Sequence, residues 1–195
     1  MSKVLILGAN GGIARVVIDL FLRETDAELT LYLRNARRLK HLESARVRVI
    51  EGNVLNLDEL KEAMVGQDVV YANLAGQLKR MAETIVDAMH ATGLRRLIFI
   101  SSMGIYGEVP GEKYKSILDP YRDSAVVIEA SNLNYTILRP AWFTNANEVD
   151  YETTPKGESF KGSIVSRKSV ADLVVKLALD PNLEVRQSIG VNKPE

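Results

Sequence analysis

A short glycine-rich loop, Gly8-Ala9-Asn10-Gly11-Gly12-Ile13-Ala14, joins an apolar run at residues 4–7 to a segment of helical period at residues 13–23. No other stretch of the chain restricts the fold as strongly. The run Val4-Leu5-Ile6-Leu7 has no polar interruption, which suits a strand buried on both faces. After the loop, Ile13, Val16, Val17, Leu20 and Phe21 recur at three- and four-residue spacing, the apolar stripe of an amphipathic helix. A helix that starts directly on such a turn leaves unsatisfied N–H groups and a partial positive charge at the strand end, so the loop is a ready anion site. Gly8 and Gly11 let the backbone turn and approach a ligand closely, and the small Ala14 lets the helix sit close on the strand.

The rest of the chain repeats the alternation. Strands are predicted at 29–33, 47–50, 69–72, 97–100 and 135–138, and helices at 35–42, 57–64, 80–91, 121–131 and 169–178. Gly66 is placed to cap the helix at 57–64, and Arg139-Pro140 is expected to end the sixth strand because proline cannot continue it. A last strand at 188–191 is expected at the sheet edge. This order implies an α/β fold, a doubly wound parallel sheet (Rossmann fold) in a single domain with small C-terminal substrate-side elements. The stretch 103–120, which contains Gly104, Gly107, Pro110 and Gly111, is longer than an ordinary connection and is expected to line a site. Residues 144–162 are polar and read as an irregular flap over the cleft.

Composition narrows the partners. With 195 residues the chain fits one domain that buries roughly 70% of its unfolded surface. Its 25 basic and 25 acidic side chains cancel, so no bulk field attracts nucleic acid or a membrane surface, and phosphate recognition has to be local. There is no cysteine, which removes disulfides, thiolate nucleophiles and Cys-based metal sites. The carboxylates and the two histidines, His41 and His90, show no metal-ligand spacing, so no metal is expected. The apolar run at the N-terminus is too short for a signal peptide, and the chain reads as cytoplasmic.

The spacing G-x-x-G-x-x-A between strand and helix points to the pyrophosphate of a nicotinamide dinucleotide, held by Gly8, Asn10, Gly11, Gly12 and Ile13. The end of the second strand sets which one. A carboxylate there binds a free ribose 2′-hydroxyl, whereas an arginine accommodates a 2′-phosphate. Here Leu33 is followed by Arg34-Asn35-Ala36-Arg37-Arg38, with no carboxylate before Glu43. NADP(H) is therefore expected over NAD(H), with Arg34 as the first phosphate ligand and Arg37 as the second, and Arg38 on the solvated surface.

Taken with further segments, these residues resemble the short-chain dehydrogenase/reductase superfamily, in particular its atypical branch of small NAD(P)-binding proteins related to NmrA and to biliverdin/flavin reductases. The segments are Gly52-Asn53-Val54, Asn73-Leu74-Ala75-Gly76, Ser101-Ser102, Tyr135 through Pro140, and Ile164-Val165-Ser166-Arg167 leading into Val170-Ala171-Asp172. The resemblance implies that Asn53 and Val54 border the adenine, that Leu74, Ala75 and Gly76 run along the cofactor, and that Pro140 and Trp142 lie toward the nicotinamide end. Phe143, beside Trp142, is a weaker candidate, and Tyr106 is expected to shape the pocket wall.

The catalytic pattern departs from that family. The superfamily pairs a strand-end serine with Tyr-x-x-x-Lys, and here Pro120-Tyr121-Arg122-Asp123-Ser124-Ala125 has alanine at the lysine position. A phenol without that lysine donates a proton at neutral pH but is a poor base. Two readings stay open. One is an NADPH-dependent reductase that passes hydride to a small conjugated acceptor such as a flavin or quinone, with Ser101 or Ser102 bonding the acceptor and Tyr121 as proton donor. The other is a non-catalytic NADP(H) sensor, which would add a partner protein or a second copy of the chain. A sugar-nucleotide epimerase is a third class, for which the chain has no room for a substrate domain.

Overall fold

The unbroken apolar runs form strands covered by helices on both sides. In the computed structural model, which describes residues 1–194, β1 (Lys3–Leu7) enters the glycine loop and α1 (Gly12–Glu24) leaves it. Val4 and Ile6 point into one core cluster, Leu5 and Leu7 into the other, and all four are fully buried. That two-sided burial is why the strand carries no polar alternation.

The chain continues through β2 (Glu28–Leu33), β3 (Val47–Glu51), α2 (Leu57–Met64), β4 (Val69–Ala72), α3 (Leu78–Thr92), β5 (Arg96–Ile100) and α4 (Asp119–Ala130). It ends with β6 (Asn134–Pro140), β7 (Trp142–Thr144), β8 (Glu152–Pro155), β9 (Ile164–Ser166), α5 (Arg167–Leu179) and β10 (Gln187–Asn192). The main sheet has the order β3-β2-β1-β4-β5-β6-β10-β8. All neighbours are parallel except β8, which runs antiparallel to β10. Side chains of α1 and α5 fill one face, and those of α2, α3 and α4 fill the other. The fold is thus the expected doubly wound Rossmann sheet in one domain. Strand order reverses between β1 and β4, which opens a crevice at their carboxyl ends.

Three local expectations need correction. The helix expected at 35–42 is instead two short 3₁₀ turns, Ala36–Arg38 and Lys40–Leu42, because only Leu39 is fully buried and Leu42 only partly so, too little apolar surface to hold a helical face. Strand β6 does not stop before Arg139-Pro140. Proline lacks a donor, but as the last residue of the strand it needs none, and its carbonyl accepts the Met103 N–H at 3.2 Å. The polar stretch 144–162 contains the edge strand β8, so β10 lies inside the sheet and not at its border. Beyond the strand ends, β7 and β9 form a separate parallel pair, the small C-terminal element on the substrate side.

Candidate functional site

The glycine loop is shaped by what lies against it. Gly8 has φ +74°, and a Cβ there would sit 2.1 Å from the Asn73 carbonyl oxygen. A Cβ on Gly11 would sit 2.2 Å from Asn73 Nδ2. Only glycine fits at position 8, where φ is positive and the obstacle is backbone, whereas a side chain at position 11 would have to displace the Asn73 amide. The Gly11 N–H bonds Gly8 O at 3.0 Å, and the Gly8 N–H bonds Tyr32 O at 3.0 Å. No side chain caps α1 and its first turn holds no acid, whereas Asn56 caps α2 and Ser166 caps α5. The first amides of α1 are therefore left for an anion. Asn10 Oδ1 accepts from Arg15 Nη2 at 2.5 Å, and Ile13 is buried beneath the helix start.

From this loop a cleft of about 610 Å³ runs over the ends of β2, β3 and β4. It gathers Gly8, Asn10, Gly11, Arg34, Asn53, Val54, Leu74 and Ala75, residues that the sequence spreads over almost seventy positions. Gly76 lies just outside, at φ +96°, where it starts the turn into α3. Arg38 lines the cleft beside Arg34, and Arg37 does not, the reverse of the expectation for these two. The tight 3₁₀ turn at Ala36–Arg38 accounts for the exchange. Among the described residues neither Arg34 nor Arg38 has a carboxylate partner, so both guanidinium groups are free for a ligand phosphate.

Of the wall residues outside the expected set, two shape the cleft most directly. Tyr32 lies under Gly52, where a Cβ would meet its hydroxyl at 2.2 Å, and the hydroxyl donates to Asn53 O at 3.2 Å. Burial, with a smaller contribution from the Glu59 carboxylate, pushes the Tyr32 phenol up to about 12, which keeps it a neutral donor. Asn53 Oδ1 accepts the Leu55 N–H at 3.0 Å, a local turn that holds Asn53 and Val54 at the rim. Asn73 is the other, and the signal for it was its position one residue before Leu74-Ala75.

A second cavity, about 360 Å³, lies at the ends of β5 and β6 under the loop after β5. Ser101, Ser102, Tyr121, Pro140, Trp142 and Phe143 all line it, with Met103, Val109, Ile117 and Leu118 making the wall largely apolar. Ser102 Oγ donates to Met103 O at 3.0 Å. Ser101 Oγ is buried and has no hydrogen-bond partner among the described residues. Trp142 is 67% exposed at the mouth. Ala125, at the position of the missing lysine, has no exposed surface and belongs to the core between α4 and the sheet.

Tyr106 does not line this cavity, contrary to expectation. Its hydroxyl donates to Glu129 Oε1 at 2.7 Å and lies 3.0 Å from Ser188 Oγ, and burial holds the phenol well above its ordinary range. It stands in a buried polar group centred on Arg139 and Glu108. The Arg139 guanidinium is fully buried on β6, pairs with Glu108 and bonds the carbonyls of Thr154 and Ser188 at 3.0 and 3.3 Å. Glu108 also accepts the N–H groups of Gly104 at 3.0 Å and Tyr106 at 2.9 Å, so it shapes the loop that forms the cavity roof. The signal for this pair was an arginine inside an apolar strand, which requires a carboxylate somewhere.

The glycine cradle, the uncapped helix and the free arginines fit a phosphate-bearing dinucleotide, and the comparison with known families agrees: the family described as NAD(P)H-binding matches residues 8–181. The chain belongs to this family. As an NAD(P)H-binding protein it is similar to a Rossmann-fold NAD(P)-binding family protein from Shigella flexneri, with 45% identity and a TM-score of 0.88 over 100% of this chain and 94% of that one. It is also similar to a short-chain dehydrogenase/reductase (wide type) from Veillonella parvula DSM 2008, solved in complex with NADP. That protein is 34% identical, with a TM-score of 0.90 over 99% of this chain and 95% of that one. Among curated proteins, an uncharacterized sugar epimerase, YhfK of Bacillus subtilis (strain 168), is 25% identical over 94% of this chain and 91% of its own length. Within this NAD(P)H-binding domain no described helix is long and apolar enough to cross a membrane.

Proposed function

We propose that the protein is an NADPH-dependent reductase whose acceptor is a small, planar conjugated ring of the flavin or quinone kind. The observation that carries this reading is the neighbouring pair of cavities. The dinucleotide cleft spans the ends of β2, β3, β1 and β4, and the largely apolar cavity begins at the next strand, β5. A bound nicotinamide cofactor supplies hydride at the junction.

The chain's own part is to hold and orient. Gly8, Asn10, Gly11 and the α1 amides, including those of Gly12 and Ile13, take the pyrophosphate. Arg34 and Arg38 take the 2′-phosphate as charge-assisted donors. Asn53, Val54 and Tyr32 border the adenine, and Leu74 and Ala75 line the path toward β5. In the acceptor cavity Ser101 Oγ, buried and without a protein partner, is the hydrogen-bonding group for an acceptor carbonyl or ring nitrogen. Tyr121 is the proton donor, and Trp142 and Phe143 stack on the ring. Met103, Val109 and Leu118 exclude water from the hydride path. An acceptor that needs little acid–base help suits a chain with Ala125 in place of lysine.

That same alanine favours the second reading, an NADP(H)-binding sensor without turnover, since Tyr121 has no lysine to assist it. An epimerase, as the name of the Bacillus subtilis relative suggests, is disfavoured by the apolar acceptor cavity and by the lack of an assisted base. The deciding experiment is calorimetric titration with NADPH and NADH for the wild type, Arg34→Ala and Arg38→Ala, followed by NADPH oxidation with flavin and quinone acceptors. Loss of roughly 1.5–3 kcal/mol of NADPH binding per arginine, with NADH unaffected, and turnover that Ser101→Ala reduces support the reductase. Tight NADPH binding with no turnover on any acceptor supports the sensor.

A further inference from the structure

We infer that Arg167 is a ligand of the cofactor's pyrophosphate, and that its contacts to Asn145 and Phe143 tie cofactor loading to the wall of the acceptor cavity. This rests on the reading of the glycine loop as the dinucleotide site. Arg167 is the first residue of α5, which packs alongside α1. A Cβ built on Gly12, the first residue of α1, would lie 3.5 Å from Arg167 Nε, so the guanidinium stands at the uncapped helix start.

Among the described residues no carboxylate pairs with Arg167. Its polar partner is a neutral amide, Asn145 Oδ1, which accepts from Nη1 at 2.6 Å. The ring of Phe143 lies under the guanidinium, 5.3 Å from its carbon to the ring centroid. These two contacts leave the other edge of the guanidinium, Nε and Nη2, without an acceptor among the described residues, and Nε lies on the side of Gly12. A planar two-donor edge held in place beside exposed helix amides suits a phosphate oxygen pair. Asn145 and Phe143 belong to the segment after β6, and Phe143 lines the acceptor cavity. A phosphate that fixes Arg167 therefore fixes that wall as well.

Trp142, next to Phe143, is the only tryptophan in the chain and stands at the cavity mouth, so its fluorescence reports on this wall. The test titrates the wild type, Arg167→Gln and Arg167→Lys with NADPH, NADH and adenosine 2′-monophosphate, which carries the 2′-phosphate and no pyrophosphate. Arg167→Gln is expected to weaken NADPH and NADH alike by about ten- to hundredfold and to leave adenosine 2′-monophosphate unchanged. At saturating NADPH it also loses the Trp142 fluorescence change that the wild type shows. Arg167→Lys, which keeps the charge without the fork, falls between the two. Unchanged dinucleotide affinity in Arg167→Gln overturns the assignment, as does an equal loss toward adenosine 2′-monophosphate, and an undiminished Trp142 response overturns the coupling. A wild type that binds the dinucleotides while Arg167→Gln binds equally well sinks Arg167 alone. A wild type that binds neither dinucleotide sinks this inference together with the cofactor reading.

Discussion

Glu108→Ala takes one carboxylate away from three donors, the Arg139 guanidinium and the N–H groups of Gly104 and Tyr106. Arg139 has no exposed surface, so its charge cannot turn to water. Removing one partner of a buried ion pair typically costs about 3–5 kcal/mol. Here the carbonyls of Thr154 and Ser188, and the rings of Tyr106 and Phe160 at 5.2 and 5.9 Å, still hold the guanidinium, which places the loss at about 3–4 kcal/mol. For a chain of this length that is a Tm lower by roughly 6–16 °C. If the cost is the stranded charge, then removing Arg139 as well should recover most of it. The double variant Glu108→Ala/Arg139→Met is expected within about 2 kcal/mol of wild type, with a coupling energy of at least about 2 kcal/mol. Urea unfolding followed by circular dichroism measures all four corners of the cycle. A Glu108→Ala cost below about 1 kcal/mol, or an Arg139→Met cost that is the same with and without Glu108, would refute the argument. Because Glu108 shapes the cavity roof, a raised acceptor KM with unchanged NADPH affinity should accompany the instability.

Gly11→Ala pushes a methyl group against Asn73 Nδ2, so this side chain of the cleft wall has to move, and Kd for NADPH should rise at least about tenfold in a folded protein; unchanged affinity would contradict this. Ala125→Lys forces an ammonium into the core and should cost at least about 2 kcal/mol in urea without creating Tyr121-dependent alcohol oxidation. A stable variant with that activity would show the position to be open to the site. Tyr71 is fully buried and its hydroxyl has no partner, so Tyr71→Phe should raise stability by about 1 kcal/mol, and a loss would reveal a hidden bond. In alkali the unfolded Tyr32 loses its proton near pH 10, whereas the folded one holds it to about 12. Its contribution is therefore full below about pH 10 and falls as pH rises toward 12, and Tyr32→Phe should flatten this limb of a stability–pH curve.

The central strands were legible because both faces are buried. Val69–Ala72 and Leu57–Met64 fall where their apolar patterns place them, and α1 differs by one residue at each end. What escaped are short strands made by tertiary pairing, among them β7 and β9, which pair only with each other beyond the main sheet. Strand β8, Glu-Thr-Thr-Pro, pairs because β10 offers it an edge, a fact of tertiary structure that its four residues do not carry. Residues 35–42 look helical in spacing, but only Leu39 is fully buried, with Leu42 partly buried against the same core, and the tight turns that result decide which arginine reaches the cleft.

The same distinction divides the site. Its cofactor half lies in loops that immediately follow strands, so neighbours in the sequence become neighbours at the sheet edge, and the glycines and Arg34 could be read in place. The half proposed for the acceptor depends on pairs brought together from afar, Glu108 with Arg139 and Phe143 with Arg167. No local pattern announces such pairs, although each leaves a trace, as a charged residue inside an apolar strand does. The absent lysine shows how far a trace goes. Ala125 shows that an assisted base is missing, but only the packing shows that the space is filled by core and that Ser101, one strand away, keeps a buried hydroxyl without a partner. On the proposed reading, a cavity with an unassisted Tyr121 and an unsatisfied Ser101 hydroxyl can orient an acceptor far better than it can abstract a proton. This asymmetry favours hydride delivery to a ring over the alcohol chemistry that Tyr-x-x-x-Lys supports.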